Sequence, residues 1–143
     1  MILSERNQVV GLELSKKMRD LKFPQNSSRH WYEVSKSSRG GTKWWTLENV
    51  GFMTIINEVP AYTVAEALEM LPKYVCSKNN IVYTLSIRRS DDVGWFIHYD
   101  RYTGNEEMIL LNCETQEENK TLADVISEML IWLKENGYLD ENK

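Results

Sequence analysis

From position 81 the chain reads Ile81, Val82, Tyr83, Thr84, Leu85, Ser86, Ile87, Arg88, Arg89, Ser90, Asp91, Asp92, Val93, Gly94, Trp95, Phe96, Ile97, His98, Tyr99, Asp100. Its period is two. Ile81, Tyr83, Leu85 and Ile87 alternate with Val82, Thr84, Ser86 and Arg88, and Trp95, Ile97 and Tyr99 alternate with Phe96, His98 and Asp100, which is a strand pattern rather than a helical one. Ser90, Asp91 and Asp92 supply turn chemistry between the two runs. A hairpin about Asp91 pairs Ile87 with Trp95, Leu85 with Ile97 and Tyr83 with Tyr99, giving one apolar, aromatic face that must meet helices. A second turn at Thr103, Gly104 and Asn105 leads into Met108, Ile109, Leu110 and Leu111, an unbroken apolar run that predicts burial on both faces. The result is a three-stranded meander, centred on Ile81 to Cys113, as the core sheet.

Helices are expected to pack on one face of this meander. The strongest is the last: Thr121 as N-cap, then Leu122, Val125, Ile126, Met129, Leu130 and Leu133 on one stripe, with Asn136 and Gly137 as a left-handed stop. Residues 138–143 form a frayed tail, of which Tyr138 and Leu139 can fold back on the helix. Thr63, Val64, Ala65 and Glu66 read as a capping box that opens a second helix with Ala67, Leu68 and Leu71 facing inward. A first helix starts at Ser4 and carries Val10, Leu14, Met18 and Leu21 at helical spacing. Pro24, Pro60 and Pro72 punctuate these elements. Weaker strands are read at Arg29 to Ser35, Lys43 to Leu47 and Phe52 to Asn57, the first two bracketing a loop with Gly40 and Gly41. The fold expected over residues 1–143 is a single α+β domain. Its antiparallel sheet, a meander plus an N-terminal hairpin, is packed by about three helices in the order α-β-β-(β)-α-β-β-β-α.

Composition bounds the chemistry. With 143 residues of which 42% are hydrophobic, the chain can build a core without disulfides or a structural metal. No apolar run reaches the roughly 18 residues of a membrane span, and Glu5 and Arg6 come before any signal-peptide core, so a soluble, cytoplasmic protein is expected. Cys76, Cys113, His30 and His98 do not make a zinc spacing, and no cofactor is expected. Net charge is -4, split as ten basic and eight acidic groups in residues 1–75 against seven and thirteen in 76–143. The acidic excess, with Glu106, Glu107, Glu114, Glu117 and Glu118, reads as a solvated face.

Several constellations carry possible chemistry. A thiol beside an imidazole could come from Cys76 or Cys113 with His98, although buried cysteine is usually a small hydrophobe. His98 reads as a hydrogen-bonded surface histidine across from Thr84, with an acid–base role alongside Asp100 only if a pocket encloses both. The adjacent carboxylates Asp91 and Asp92, Glu106 and Glu107, and Glu117 and Glu118 are not catalytic pairs, because neighbours on a strand point to opposite faces. Arg39, Gly40, Gly41, Thr42 lacks the spacing and the lysine of a phosphate loop. The most suggestive patch joins Arg29, His30, Trp31 and Tyr32 with Lys36, Arg39, Lys43, Trp44 and Trp45. Three accounts stay open for it: core structure, a protein interface in which Trp31, Arg39, Trp44 and Trp45 carry the contact, and single-stranded nucleic-acid binding by basic and stacking side chains. Alternation sends one of Trp44 and Trp45 inward.

Pro60, Ala61, Tyr62, Thr63, Val64, Ala65, Glu66, Ala67, Leu68, Glu69, Met70, Leu71, Pro72, of the form P-A-x-T-x-x-E-x-L-x-x-L-P, resembles a stretch of small bacteriophage, prophage and mobile-element proteins of unknown function. The end of the chain, Leu122 to Asp124 and Met129 to Gly137, is similar to theirs too, and Leu14 to Tyr32 matches their opening helix and aromatic strands. The resemblance implies a compact α+β fold in a bacterial or phage cytoplasmic setting, and no activity or catalytic residue. With no competent catalytic constellation and an aromatic, basic loop near Trp44, the function expected is that of a non-enzymatic phage or prophage protein acting through contacts with another protein or with itself. Single-stranded nucleic-acid binding through 29–45 and an enzyme using His98 and Asp100 are the alternatives.

Overall fold

The computed structural model describes residues 9–35, 43–47, 54–77, 80–90, 94–103, 106–114 and 121–139, with side chains described outside 90, 102, 103 and 106–114. In chain order the elements are α1 (Leu12–Asp20), β1 (His30–Ser35), β2 (Lys43–Thr46), β3 (Thr54–Pro60), α2 (Val64–Met70), β4 (Tyr74–Cys76), β5 (Val82–Ser90), β6 (Gly94–Thr103), β7 (Glu106–Glu114) and α3 (Leu122–Glu135). The α+β class holds, and so does the order apart from one added strand. Two sheets form rather than one: an antiparallel three-stranded sheet β2-β1-β3 and a four-stranded meander β4-β5-β6-β7. The added strand, β4, is three residues long and too short for alternation to announce it.

The β5–β6 hairpin differs from the expected register by two residues. Ile87 pairs with Ile97, Leu85 with Tyr99 and Arg89 with Trp95. Slippage by two keeps every side chain on its face, so Tyr83, Ile97 and Tyr99 still enter the core. His98 consequently lies across from Ser86, not Thr84. Tyr99 adds a polar tie, its hydroxyl donating to the Pro72 carbonyl at 2.7 Å.

Against that face lies α3. Val125, Ile126, Met129, Leu130 and Leu133 are fully buried, because spacings of three and four residues place them on one side of the helix. Thr121 Oγ1 accepts the Asp124 N–H, and the helix closes with Tyr138 N–H donating to Leu133 O and Gly137 N–H to Lys134 O. Gly137 alone takes the left-handed conformation (φ 78°); Asn136 does not. Tyr138 then stacks on Trp132 with ring centroids 5.4 Å apart. In α2 the capping box forms as expected, and Ala67 and Leu71 join the core.

The first helix departs from expectation. It begins at Leu12 with Gly11 as its N-cap, so Ser4, outside the described residues, does not start it. Val10 is buried but lies upstream of the helix, because Val9 pairs in a β-bridge with Thr63 and Val10 N–H donates to Tyr62 O. Extended pairing to the segment before α2 outweighs local helical spacing here. A second, smaller core forms beside it from Val9, Trp31 and Ala61, with Leu12, Trp45 and Leu47 packed around them.

Candidate functional site

On the meander face opposite the helices, Phe96, His98 and Asp100 stand in a row, since every second residue of β6 shares a face. His98 Nε2 lies 2.8 Å from Asp100 Oδ2. From β5, Arg88 reaches past the His98 row to bring Nη2 within 3.8 Å of the same carboxylate oxygen. The imidazole also stacks on the Phe96 ring, centroids 5.7 Å apart. Where the row ends the ladder is irregular: Tyr99 pairs with Leu111 but Asp100 with Ile109, leaving position 110 as a bulge. Bulges of this kind bend a strand and are frequent beside functional groups.

His98 is 1% exposed and Asp100 5%, so the expected surface histidine is a buried one. The carboxylate oxygen of Asp100 engages Nε2 and not Nδ1 of the ring. Nδ1 is buried and has no partner among the described residues. Such an orphan is the ring atom of the pair left to bond a further group. Neither group lines the described cavity, however. Both lie beneath the surface, and a dissolved substrate reaches Nδ1 only if its cover moves.

The thiols do not complete this site. Cys76 is exposed on the edge strand β4, two strands away from His98, and Cys113 occupies the ladder position opposite Ile97 rather than His98. Asp91, Asp92, Glu117, Glu118, Lys36, Arg39, Gly40 and Gly41 lie outside the described residues. Among the described residues no group of three or more His, Cys, Asp or Glu side chains is placed to hold a metal ion. No described helix is long and apolar enough to cross a membrane.

A cavity of about 350 Å³ opens instead at α2, lined by Pro24, Asn26, Tyr62, Glu66, Glu69 and Met70. Burial, reinforced by the Glu66 charge, pushes the Tyr62 phenol up to about 12, and its hydroxyl donates to the Pro24 carbonyl. Burial alone would raise Glu66, but donors outweigh it and hold the carboxyl below its ordinary value. Oε1 accepts from Thr63 N–H and Ser27 Oγ, and Oε2 from Ser28 N–H. The capping glutamate thus also clasps the segment leading into β1. The sequence pattern announces the box, whereas nothing in it points to Ser27 and Ser28.

The aromatic patch is divided by alternation. Trp31 turns inward, 7% exposed, and its Nε1–H donates to Val10 O at 3.0 Å, so as a contact residue it is corrected to core. Trp45 packs against the same small core with Lys16 Nζ 5.0 Å from its ring centroid. Trp44 takes the opposite face. There the buried Val34 pairs with both Trp44 and Ile55, with Tyr32 one row on and His30 two, their ring centroids 6.1 Å apart. A bulge between Glu33 and Val34 leaves Ile56 without an opposite residue. Ile55 and Ile56, though adjacent, are 43% and 41% exposed, as are Thr54, Asn57 and Glu58 around them.

No protein-family model, curated protein or solved structure matches the chain.

Proposed function

We propose that the protein is non-enzymatic and acts by binding other proteins, through the face of the first sheet turned away from α1. The observation that carries this reading is the grouping of half-buried Trp44, Tyr32 and His30 with exposed Ile55 on that face, set around the buried Val34 and with Ile56 exposed beside it. Aromatic side chains on a partly exposed surface are what interfaces concentrate, because they bury much area for little conformational entropy. His98 and Asp100, the groups best suited to acid–base work, are bonded to each other below the surface, which fits a structural pair better than a catalytic one. The phage-like stretches Pro60 to Pro72 and Leu122 to Gly137 support a bacterial or phage setting for the partner.

Capture from a bacterial host lysate with chemical cross-linking tests the surface. A Trp44→Ser, Ile55→Ser double variant that keeps its circular dichroism spectrum is expected to lose the captured protein. An unchanged partner list from that folded variant removes the surface.

A further inference from the structure

Asn136 is the one asparagine of the chain that is followed by glycine, and it stands exposed at the end of α3. The side-chain amide of an asparagine is open to attack by the backbone nitrogen of the next residue, and glycine leaves that nitrogen without a side chain to obstruct it. Space is free at Gly137, where even an added Cβ would meet nothing within 4 Å. The backbone is nevertheless set against the reaction. Ring closure requires Asn136 Cβ and Gly137 N to eclipse each other about the Cα–C bond, whereas ψ 8° at Asn136 eclipses the two backbone nitrogens instead. Both reacting groups are also engaged, Asn136 Nδ2 donating to Trp132 O at 2.8 Å and Gly137 N–H to Lys134 O at 3.3 Å. Tyr138 closes the turn that holds them, through N–H donation to Leu133 O at 2.8 Å and its stack on Trp132.

We infer that Asn136 is a site of spontaneous deamidation, locked by the C-terminal cap of α3 and released when that last turn opens. In the opened turn the Gly137 nitrogen gives its proton to hydroxide and bonds to Asn136 Cγ. The Cγ–Nδ2 bond breaks, and Nδ2 leaves as ammonia with a proton from water. A second water then opens the succinimide at one of its two carbonyls, giving aspartate or isoaspartate. Either product sets a carboxylate beside Glu135 at the negative end of the helix dipole, and isoaspartate also adds a carbon to the main chain, so the altered turn closes less well than the original.

Peptide mapping by mass spectrometry on the full chain, held in mildly alkaline buffer, reads amide-to-acid conversion position by position. In urea the peptide holding Asn136 is expected to convert ahead of every other asparagine, and in the folded chain about tenfold more slowly than in urea, because reaction then waits on opening of the helix end. Tyr138→Ala removes the ring stack and keeps the main-chain donors. In the folded state it is expected to quicken Asn136 about fivefold while leaving Asn26, exposed and followed by Ser27, at its wild-type rate. Another asparagine outpacing Asn136 in urea, a folded chain that converts as fast as the unfolded one, or a folded Tyr138→Ala chain with the wild-type rate at Asn136 overturns the inference.

Discussion

Asp100 illustrates how much a single carboxylate can hold. It accepts from a fully buried imidazole at 2.8 Å and faces a half-exposed guanidinium at 3.8 Å, and the two contacts differ in worth because solvent screens only the second. Removing the acceptor in Asp100→Ala strands His98 Nε2 beside an already unpartnered Nδ1, leaving the ring with no hydrogen bond. An unsatisfied buried polar group costs about 1 to 3 kcal/mol, so Asp100→Ala is expected to lose about 2 kcal/mol in urea unfolding, whereas Arg88→Ala loses under about 1 kcal/mol. Equal losses from both variants would mean that the ion pair, and not the buried hydrogen bond, holds the row. Glu66 gives a second test at this scale, through pH. Its folded-state value lies below the ordinary 4.5, so its contribution is fully present above 4.5 and is lost as pH falls through the lowered value. Glu66→Gln is therefore expected to flatten the stability profile below about pH 4.5 relative to wild type, read by urea midpoints at closely spaced pH values.

At the level of elements, α3 owes its end to one backbone conformation. Gly137 sits at φ 78°, where a side chain strains the backbone, yet an added Cβ there would meet nothing within 4 Å. Gly137→Ala thus isolates the conformational term, and a loss of about 1 kcal/mol with unchanged packing is expected from thermal unfolding. Thr121, the stripe Val125 to Leu133 and Gly137 were all legible in the sequence, since caps and helical spacing are local. The face parity of β5 and β6 was legible for the same reason. Their register was not: residues 91–93 separate Ser90 from Gly94, and alternation is blind to a shift of two. The start of α1 was misread because a long-range bridge, Val9 with Thr63, took residues whose spacing alone fits a helix. The site was less legible than the fold. Alternation separated Trp44 from Trp45, but the two bulges, at Ile56 and in β7 beside Asp100, depend on partner strands and leave no local signature.

Across the whole molecule the two sheets rest on cores of very different size. The meander and three helices share a large cluster running from Val10 and Met18 to Leu133, whereas among the described residues Val9, Trp31 and Ala61 form the other, with Val34 and Val59 also buried on the first sheet. Residues 9–11 join them. Val9 bridges to Thr63, Val10 O accepts the Trp31 indole, and Gly11 N–H donates to Asp124 Oδ1 of α3 at 2.7 Å. Local opening follows the depth of apolar burial, so the β2-β1-β3 sheet is expected to open without the meander. Native-state hydrogen exchange distinguishes this from a single cooperative unit. Slowly exchanging amides of β5 and of α3 should report the global free energy, while those of β1 and β3 should exchange through a cheaper opening. Trp31→Phe deletes the indole donor while keeping most of the apolar bulk, and is expected to lower only the second class, by about 1 kcal/mol. Asp124→Ala, which frees Gly11 N–H from α3, should accelerate the first-sheet amides as well, because the connecting segment is tethered to the large core through that bond. If instead both classes fall together in either variant, the strap at 9–11 transmits the loss to the whole chain and the sheets unfold as one.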